Sequence, residues 1–167
     1  RILQHLGLGA VLEALAVIPA RGAVKHYRTG RTLVDIPRGT TQLERFGAPY
    51  CQIHRHDLHQ ALVAAVLSAD RNCLHLGCKL EDFGQDAQSV TALFTNGRTA
   101  RGDLLIGCDG IRSTVRARLF GTEDPRFTGY VAWRGLVPME RLSASLVVPD
   151  SAVWISPGPF LTRYKIR

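Results

Sequence analysis

Asp103-Leu-Leu-Ile-Gly-Cys-Asp-Gly-Ile-Arg-Ser-Thr-Val-Arg116 is the stretch on which the reading of this chain turns. Its first half is a continuous apolar run ending in Asp-Gly, the pattern of a strand buried on both faces. Its second half opens a segment, residues 112–120, with helical spacing. Strand, tight turn and helix place a ligand at a sheet edge, because the glycine lets the backbone approach closely while the neighbouring carboxylate turns outward. The helix start aims its amides at the same space, where a phosphate or polyol hydroxyl would sit with Arg112 and Arg116 offsetting charge. The competing reading makes Asp109 a helix cap and Gly110 a turn residue, and the segment alone leaves the two open.

Immediately upstream, residues 90–95 and 98–102 flank Asn96-Gly97, a strong hairpin signal. Residues 74–80 alternate apolar and polar types as a strand does. Before them, Asp57 is placed to cap a helix reaching Asp70, with Leu58, Ala61, Leu62, Ala65, Val66 and Ala69 on one stripe. Residues 23–27 and 32–36 lie on either side of Thr29-Gly30-Arg31 and read as a strand pair, followed by a loop through Pro37, Gly39 and Gly47-Ala48-Pro49. The chain opens with two short helices joined at Gly7 and Gly9, and Pro19 stops the second from continuing. Downstream of Gly121, residues 130–137, 146–148, 153–155 and 160–166 read as strands separated by Pro and Gly.

With 167 residues, 46% hydrophobic and 7% aromatic, the chain has enough apolar material for one globular domain. Its longest apolar runs, residues 104–108 and 146–149, fall far short of the roughly 20 residues that span a bilayer, so no membrane span is expected. Residue 1 is Arg and no charged-then-apolar leader follows, so the chain reads as an internal portion of a longer protein. Lys plus Arg is 21 against 14 Asp plus Glu, a net +7 that favours anionic partners. No basic run of five or more and no aromatic-rich motif accompanies that charge, so specific nucleic-acid binding is not expected. Cys51, Cys73, Cys78 and Cys108 lack Cys-x-x-Cys spacing, and reduced thiols in the cytoplasm are the expectation.

A second informative segment is Gln52-Ile-His-Arg-His-Asp-Leu-His59, where a strand-like lead delivers Arg55 to the start of the capped helix. A guanidinium there reaches a pyrophosphate or an adenine face, unless it is a solvated surface Arg. His54, His56 and His59 are not read as metal ligands: the first two point oppositely on a strand, and no carboxylate or Cys has ligand spacing.

Three segments combine into a resemblance. Residues 54–62, His-Arg-His-Asp-Leu-His-Gln-Ala-Leu, residues 103–116, and residues 130–138, Tyr-Val-Ala-Trp-Arg-Gly-Leu-Val-Pro, together resemble the single-component FAD-dependent aromatic hydroxylases of the para-hydroxybenzoate and salicylate hydroxylase type. The opening residues 1–15 and Phe46-Gly-Ala-Pro-Tyr50 are similar to that family as well. The resemblance implies an α/β FAD/NAD(P)-binding fold with an interleaved, mostly antiparallel substrate-binding sheet, incomplete at both ends. Residues 1–17 and 51–126 would belong to the flavin domain, and residues 18–50 and 127–167 to the substrate sheet.

The resemblance also implies roles. Asp109 and Gly110 match the Asp-Gly that borders the FAD pyrophosphate and the path of the nicotinamide cofactor, and Arg55 matches an Arg that contacts FAD. Arg116 would tie its helix to the sheet. Trp133-Arg134 resembles the entry into the substrate sheet, and Tyr164 a position from which some members present a phenol to the aromatic substrate, where it would orient or deprotonate a ring hydroxyl. The implied reaction uses NADH or NADPH to reduce FAD, then O2, and hydroxylates a small aromatic through a flavin hydroperoxide, with the cofactor doing the oxygen chemistry. Epoxidation or halogenation on the same fold stays open, as does homo-oligomerisation. The family's opening G-x-G-x-x-G turn has only a partial counterpart in Gly7-Leu-Gly9-Ala-Val-Leu12, and its later Gly-Asp segment has none. The alternative is therefore an inactive, truncated remnant of the fold whose positive charge binds polyanions nonspecifically.

Overall fold

A computed structural model describes all 167 residues, which divide into two units: residues 1–71 with 135–167, and residues 72–134.

The larger unit opens with α1 (Ile2–His5) and α2 (Gly9–Leu15), joined at Gly7 with φ +79°. Strands β1 (Arg21–His26) and β2 (Thr32–Pro37) pair antiparallel, with Val24 opposite Val34, across the turn expected at Gly30. The loop expected over residues 37–49 is instead broken by α3 (Gly39–Phe46). It ends in a left-handed cap followed by Pro49: Gly47 adopts φ +66° and its N–H closes on the Leu43 carbonyl at 2.8 Å. A single antiparallel bridge between Val17 and Gln52, two N–H···O bonds of 2.8 Å, then leads into α4 (Arg55–Ala69). The helix begins at Arg55 because the backbone is still extended at His54, so Asp57 lies inside the first turn and not at the cap; there its charge complements the helix N-terminus.

The later part of this unit holds α6 (Ala144–Val147), β6 (Ser151–Ile155) and β7 (Phe160–Tyr164). Residues 146–148 were expected as a strand; most of that run closes the short helix α6, and no strand pairs with it. The sheet order is β2-β1-β6-β7, with β1 and β6 parallel and the other neighbours antiparallel. Its core is made of small side chains: Ala23 and Ala152 face each other in register at 5% and 1% exposure. Asp150 fastens the sheet's two ends, accepting from the Ala20 N–H at 2.9 Å and from Lys165 Nζ at 2.7 Å. Those bonds, the Lys165 one foremost, hold its carboxyl below the usual range.

The smaller unit is a meander, β3 (Leu80–Gln85), β4 (Val90–Phe94) and β5 (Thr99–Gly102), with helix α5 (Thr114–Phe120) on β3. The Asn96-Gly97 turn joins β4 to β5, with Gly97 at φ +77° and the Arg98 N–H donating to Asn96 Oδ1 at 3.1 Å. A 3.0 Å ion pair between Arg118 and Asp82 joins α5 to β3. The alternation over residues 74–80 does not produce a strand; the ladder starts only at Leu80, opposite Phe94, and before it only the Lys79 carbonyl bonds across, accepting from the Thr95 N–H at 2.9 Å. Residues 130–137 likewise form no strand, and Trp133 is 95% exposed.

Candidate functional site

The run Leu104 to Cys108 is not a strand: no strand of the chain lies beside it, and Leu104 and Ile106 are 76% and 72% exposed. An apolar sequence favours the extended backbone, but a ladder needs a partner to receive its hydrogen bonds. What organises the segment is its end. The Asp109 carboxylate accepts from Ser113 Oγ at 2.5 Å, the Thr114 N–H at 2.6 Å and the Val115 N–H at 3.2 Å. Ser113, itself buried, accepts from the Arg116 N–H at 3.0 Å as the cap of α5. The first three amides of α5 are thus satisfied from within the chain, the arrangement that the helix-cap reading of Asp109 describes. The Ser113 hydroxyl is the largest cause holding the Asp109 carboxyl below the usual carboxylate range. Arg116 donates to the Ile111 carbonyl, so it ties α5 to the preceding turn, whereas a tie to the sheet was expected.

Two glycines shape this loop differently. At Gly107 a Cβ would stand 2.8 Å from the Val115 Cβ, so the missing side chain lets the loop lie against α5. At Gly110, with φ +81°, nothing lies within 4 Å of the Cβ position. Apart from Asp109, whose amide faces its own carboxylate, the backbone N–H groups from Leu104 to Arg112 donate to no other residue of the chain, and the stretch is solvent-facing over most of its length. An open left-handed glycine among unpaired amides, held in shape by the Asp109 cap, suits an oxygen-rich ligand approaching the backbone.

Arg55 is the first residue of α4, exposed, and set just beyond the Val17–Gln52 bridge. Tyr164 ends β7 opposite Ser151 and is 54% exposed. Asp109 and Gly110 share one loop of the smaller unit, while Arg55 and Tyr164 stand on separate elements of the larger one. Sequence reasoning missed Ser113 and Gly107. Ser-x-x-Arg lacks the Glu or Gln that marks a capping box, and nothing local shows which glycine a helix will cover. It also missed Arg163, one position before Tyr164, whose Nε and Nη2 are buried without an acceptor.

Comparison with known proteins decides the family. Residues 1–155 match the family model described as "FAD binding domain". The chain belongs to the FAD binding domain family. Similar members include 3-amino-4-hydroxybenzoate 2-monooxygenase PtnB3 of Streptomyces platensis, 34% identical over 99% of this chain and 41% of that protein. 6-Hydroxynicotinate 3-monooxygenase of Pseudomonas fluorescens is 32% identical over 98% of the chain and 42% of its own length. Among solved structures, Klebsiella pneumoniae HpxO complexed with FAD and uric acid superposes with a TM-score of 0.84 at 28% identity, covering 98% of this chain and 41% of that one. This FAD binding domain chain therefore spans about two fifths of the length of the relatives it matches. Its mixture of helices and sheets is that of the α/β FAD-binding fold.

Proposed function

We propose that this chain is part of an FAD-dependent monooxygenase that hydroxylates a small aromatic ring with NADH or NADPH and O2. The observation that carries the reading is the open loop at Gly110, in a chain matching the FAD binding domain model over residues 1–155. Similarity to monooxygenases of aminohydroxybenzoate and hydroxynicotinate supports the aromatic substrate class.

Gly110 and the unpaired amides around it are assigned to the backbone contact with FAD, and Asp109 to holding that turn in shape through Ser113 and the α5 amides. Arg55 is assigned to the pyrophosphate, where a permanent positive charge with a fixed fork of donors suits two phosphates. When bound, FAD supplies the redox chemistry, taking a hydride from the nicotinamide and activating O2. The Tyr164 hydroxyl is assigned to the substrate, donating to or accepting from a ring hydroxyl as that group loses its proton. Residues 18–50 and 127–167 are assigned to the substrate sheet and residues 1–17 and 51–126 to the flavin domain; β1, β2, β6 and β7 joining in one sheet supports the first half. Four free thiols support a reducing compartment such as the cytoplasm.

Titration of the chain with FAD, followed by flavin fluorescence, tests the cofactor assignment. Saturable binding weakened at least tenfold by Gly110→Val is expected, because a β-branched side chain both disfavours φ +81° and blocks the approach. Equal affinity of the variant would remove the loop from the site. Aromatic-stimulated NAD(P)H oxidation with appearance of a hydroxylated product tests the reaction, and absence of product with every hydroxybenzoate and hydroxypyridine carboxylate tried would reject the substrate class.

A further inference from the structure

We propose that the groove over Trp154 binds the alkyl chain of a fatty-acid anion, with the carboxylate held outside it by the cations of the β1–β2 turn. In register, Lys25 of β1 lies beside Trp154 of β6, and Trp154 opposite Leu161 of β7, so the three share one face of the sheet. Tyr164, opposite Ser151, points to the other face, so the groove is separate from the position assigned to the aromatic substrate. Tyr27, Leu142, Leu146, Phe160 and Leu161 wall the groove around Trp154, and its volume of about 550 Å³ falls within the range of small-molecule sites.

The interior offers a ligand almost nothing polar. Arg163 Nη1 donates to the Pro149 carbonyl at 2.6 Å, and its Nε and Nη2 are buried and closed to the groove. The Ser156 hydroxyl donates to the Pro159 carbonyl. A ring carrying hydroxyl or amino groups would leave them unpaired there, whereas an alkyl chain has no such group to strand and gains by leaving water. Charge collects at one end instead. Lys25, Arg28 and Arg31 lie on or beside the Thr29-Gly30 turn, and none of them is in an ion pair. Asp35, the only acid of the β1–β2 hairpin, is taken by Arg21, whose Nε donates to it at 3.2 Å. Tyr27 joins the two environments: it lines the groove, and its ring lies 5.5 Å from the Arg28 guanidinium. Lys25 Nζ, 5.6 Å from the Trp154 ring centroid, brings a second cation beside a wall of the groove. An apolar trough ending at unpaired cations matches a molecule with a long apolar tail and one terminal negative charge.

The test needs no flavin, so its outcome is independent of the proposed reaction. The chain holds two tryptophans, and in Trp133→Phe the fluorescence reports Trp154 alone. Titration of that variant with dodecanoate, kept below its micelle-forming concentration, is expected to give a saturable change. Dodecanol, dodecyltrimethylammonium and para-hydroxybenzoate should each bind at least tenfold more weakly. Replacing Lys25, Arg28 and Arg31 together by Gln should raise the dodecanoate Kd tenfold or more, and Leu146→Glu, at a half-exposed position, should do the same from the groove side, with circular dichroism unchanged in both. A linear response, equal affinity for dodecanol or para-hydroxybenzoate, or an unaltered Kd in either variant overturns the proposal. Adsorption to phosphatidylglycerol vesicles without saturable dodecanoate binding assigns the cations to a lipid surface and overturns it too. Should the variants not fold, the parent chain decides by ionic strength: added salt that weakens dodecanoate and leaves dodecanol unchanged supports the site, and equal response of the two overturns it.

Discussion

The β3-β4-β5 meander and the β2-β1-β6-β7 sheet differ in how far along the chain each strand must reach for its partner. In the meander every strand pairs with its neighbour in sequence, and the Asn96-Gly97 turn sets the register of β4 on β5. In the larger sheet β1 lies parallel to β6, and the bond that closes their start, Ala20 N–H to Asp150, joins residues 130 apart. A short turn names its own hairpin, whereas a distant parallel pairing depends on everything between the strands collapsing correctly. Stability in the second sheet should therefore concentrate in a few small, buried contacts, and in the first be spread along a local ladder.

Substitutions at those contacts should separate the two regions. The largest effect is expected from Ala152→Asp, which places a carboxylate at a 1%-exposed position between β1 and β7. A loss of about 3 kcal/mol or more is expected in urea unfolding followed by Trp154 fluorescence. Meander amides should keep their exchange protection in the same sample; if they lose it equally, the two regions fold as one and the contrast fails.

Gly107→Ala comes next, since its Cβ would meet the Val115 side chain at 2.8 Å. A cost of about 1–3 kcal/mol, read as faster amide exchange in α5, is expected from overpacking. Asp150→Asn keeps the Ala20 acceptor but removes the charge facing Lys165, and about 1 kcal/mol should be lost from the larger sheet alone. Gly97→Ala forces a Cβ into φ +77° and should cost the meander about 1 kcal/mol, read by thermal melting, with the larger sheet untouched.

The smallest effect is one of pH. The Asp109 carboxyl titrates below its ordinary value in the folded chain, so the unfolded chain binds the proton more readily. Its contribution is complete above the ordinary carboxylate range and is lost as pH falls through the depressed folded value. Exchange protection of the Thr114 and Val115 amides should therefore fall as pH drops below the ordinary carboxylate range. Asp109→Asn should abolish that dependence, and a parent chain insensitive to acid would show the cap to be held by Ser113 alone.

Much of the fold was legible in advance. Both short opening helices, the β1–β2 turn, most of α4 and the Asn96-Gly97 hairpin each rest on signals within a few residues. Asp109 and Gly110 were legible as a pair with two competing roles, and the geometry divides them: the Asp109 side chain caps α5, and the Gly110 backbone stays open. The misread strands at residues 74–80, 104–108 and 130–137 share one cause. Apolar or alternating sequence states a preference for extended backbone, while a strand exists only where a second strand completes its hydrogen bonds.

By itself the sequence determined which segments turn, which coil into helices, the positive charge and the family to which the chain belongs, because these depend on local backbone preference and on motifs read in order. Only the tertiary structure decided that β1 runs beside β6, that Asp109 takes up the first two amides of α5, and that two buried donors of Arg163 are left without an acceptor. Each of those depends on which groups meet across the fold, and a hydrogen-bond donor is satisfied or left wanting only by the neighbour that packing brings to it.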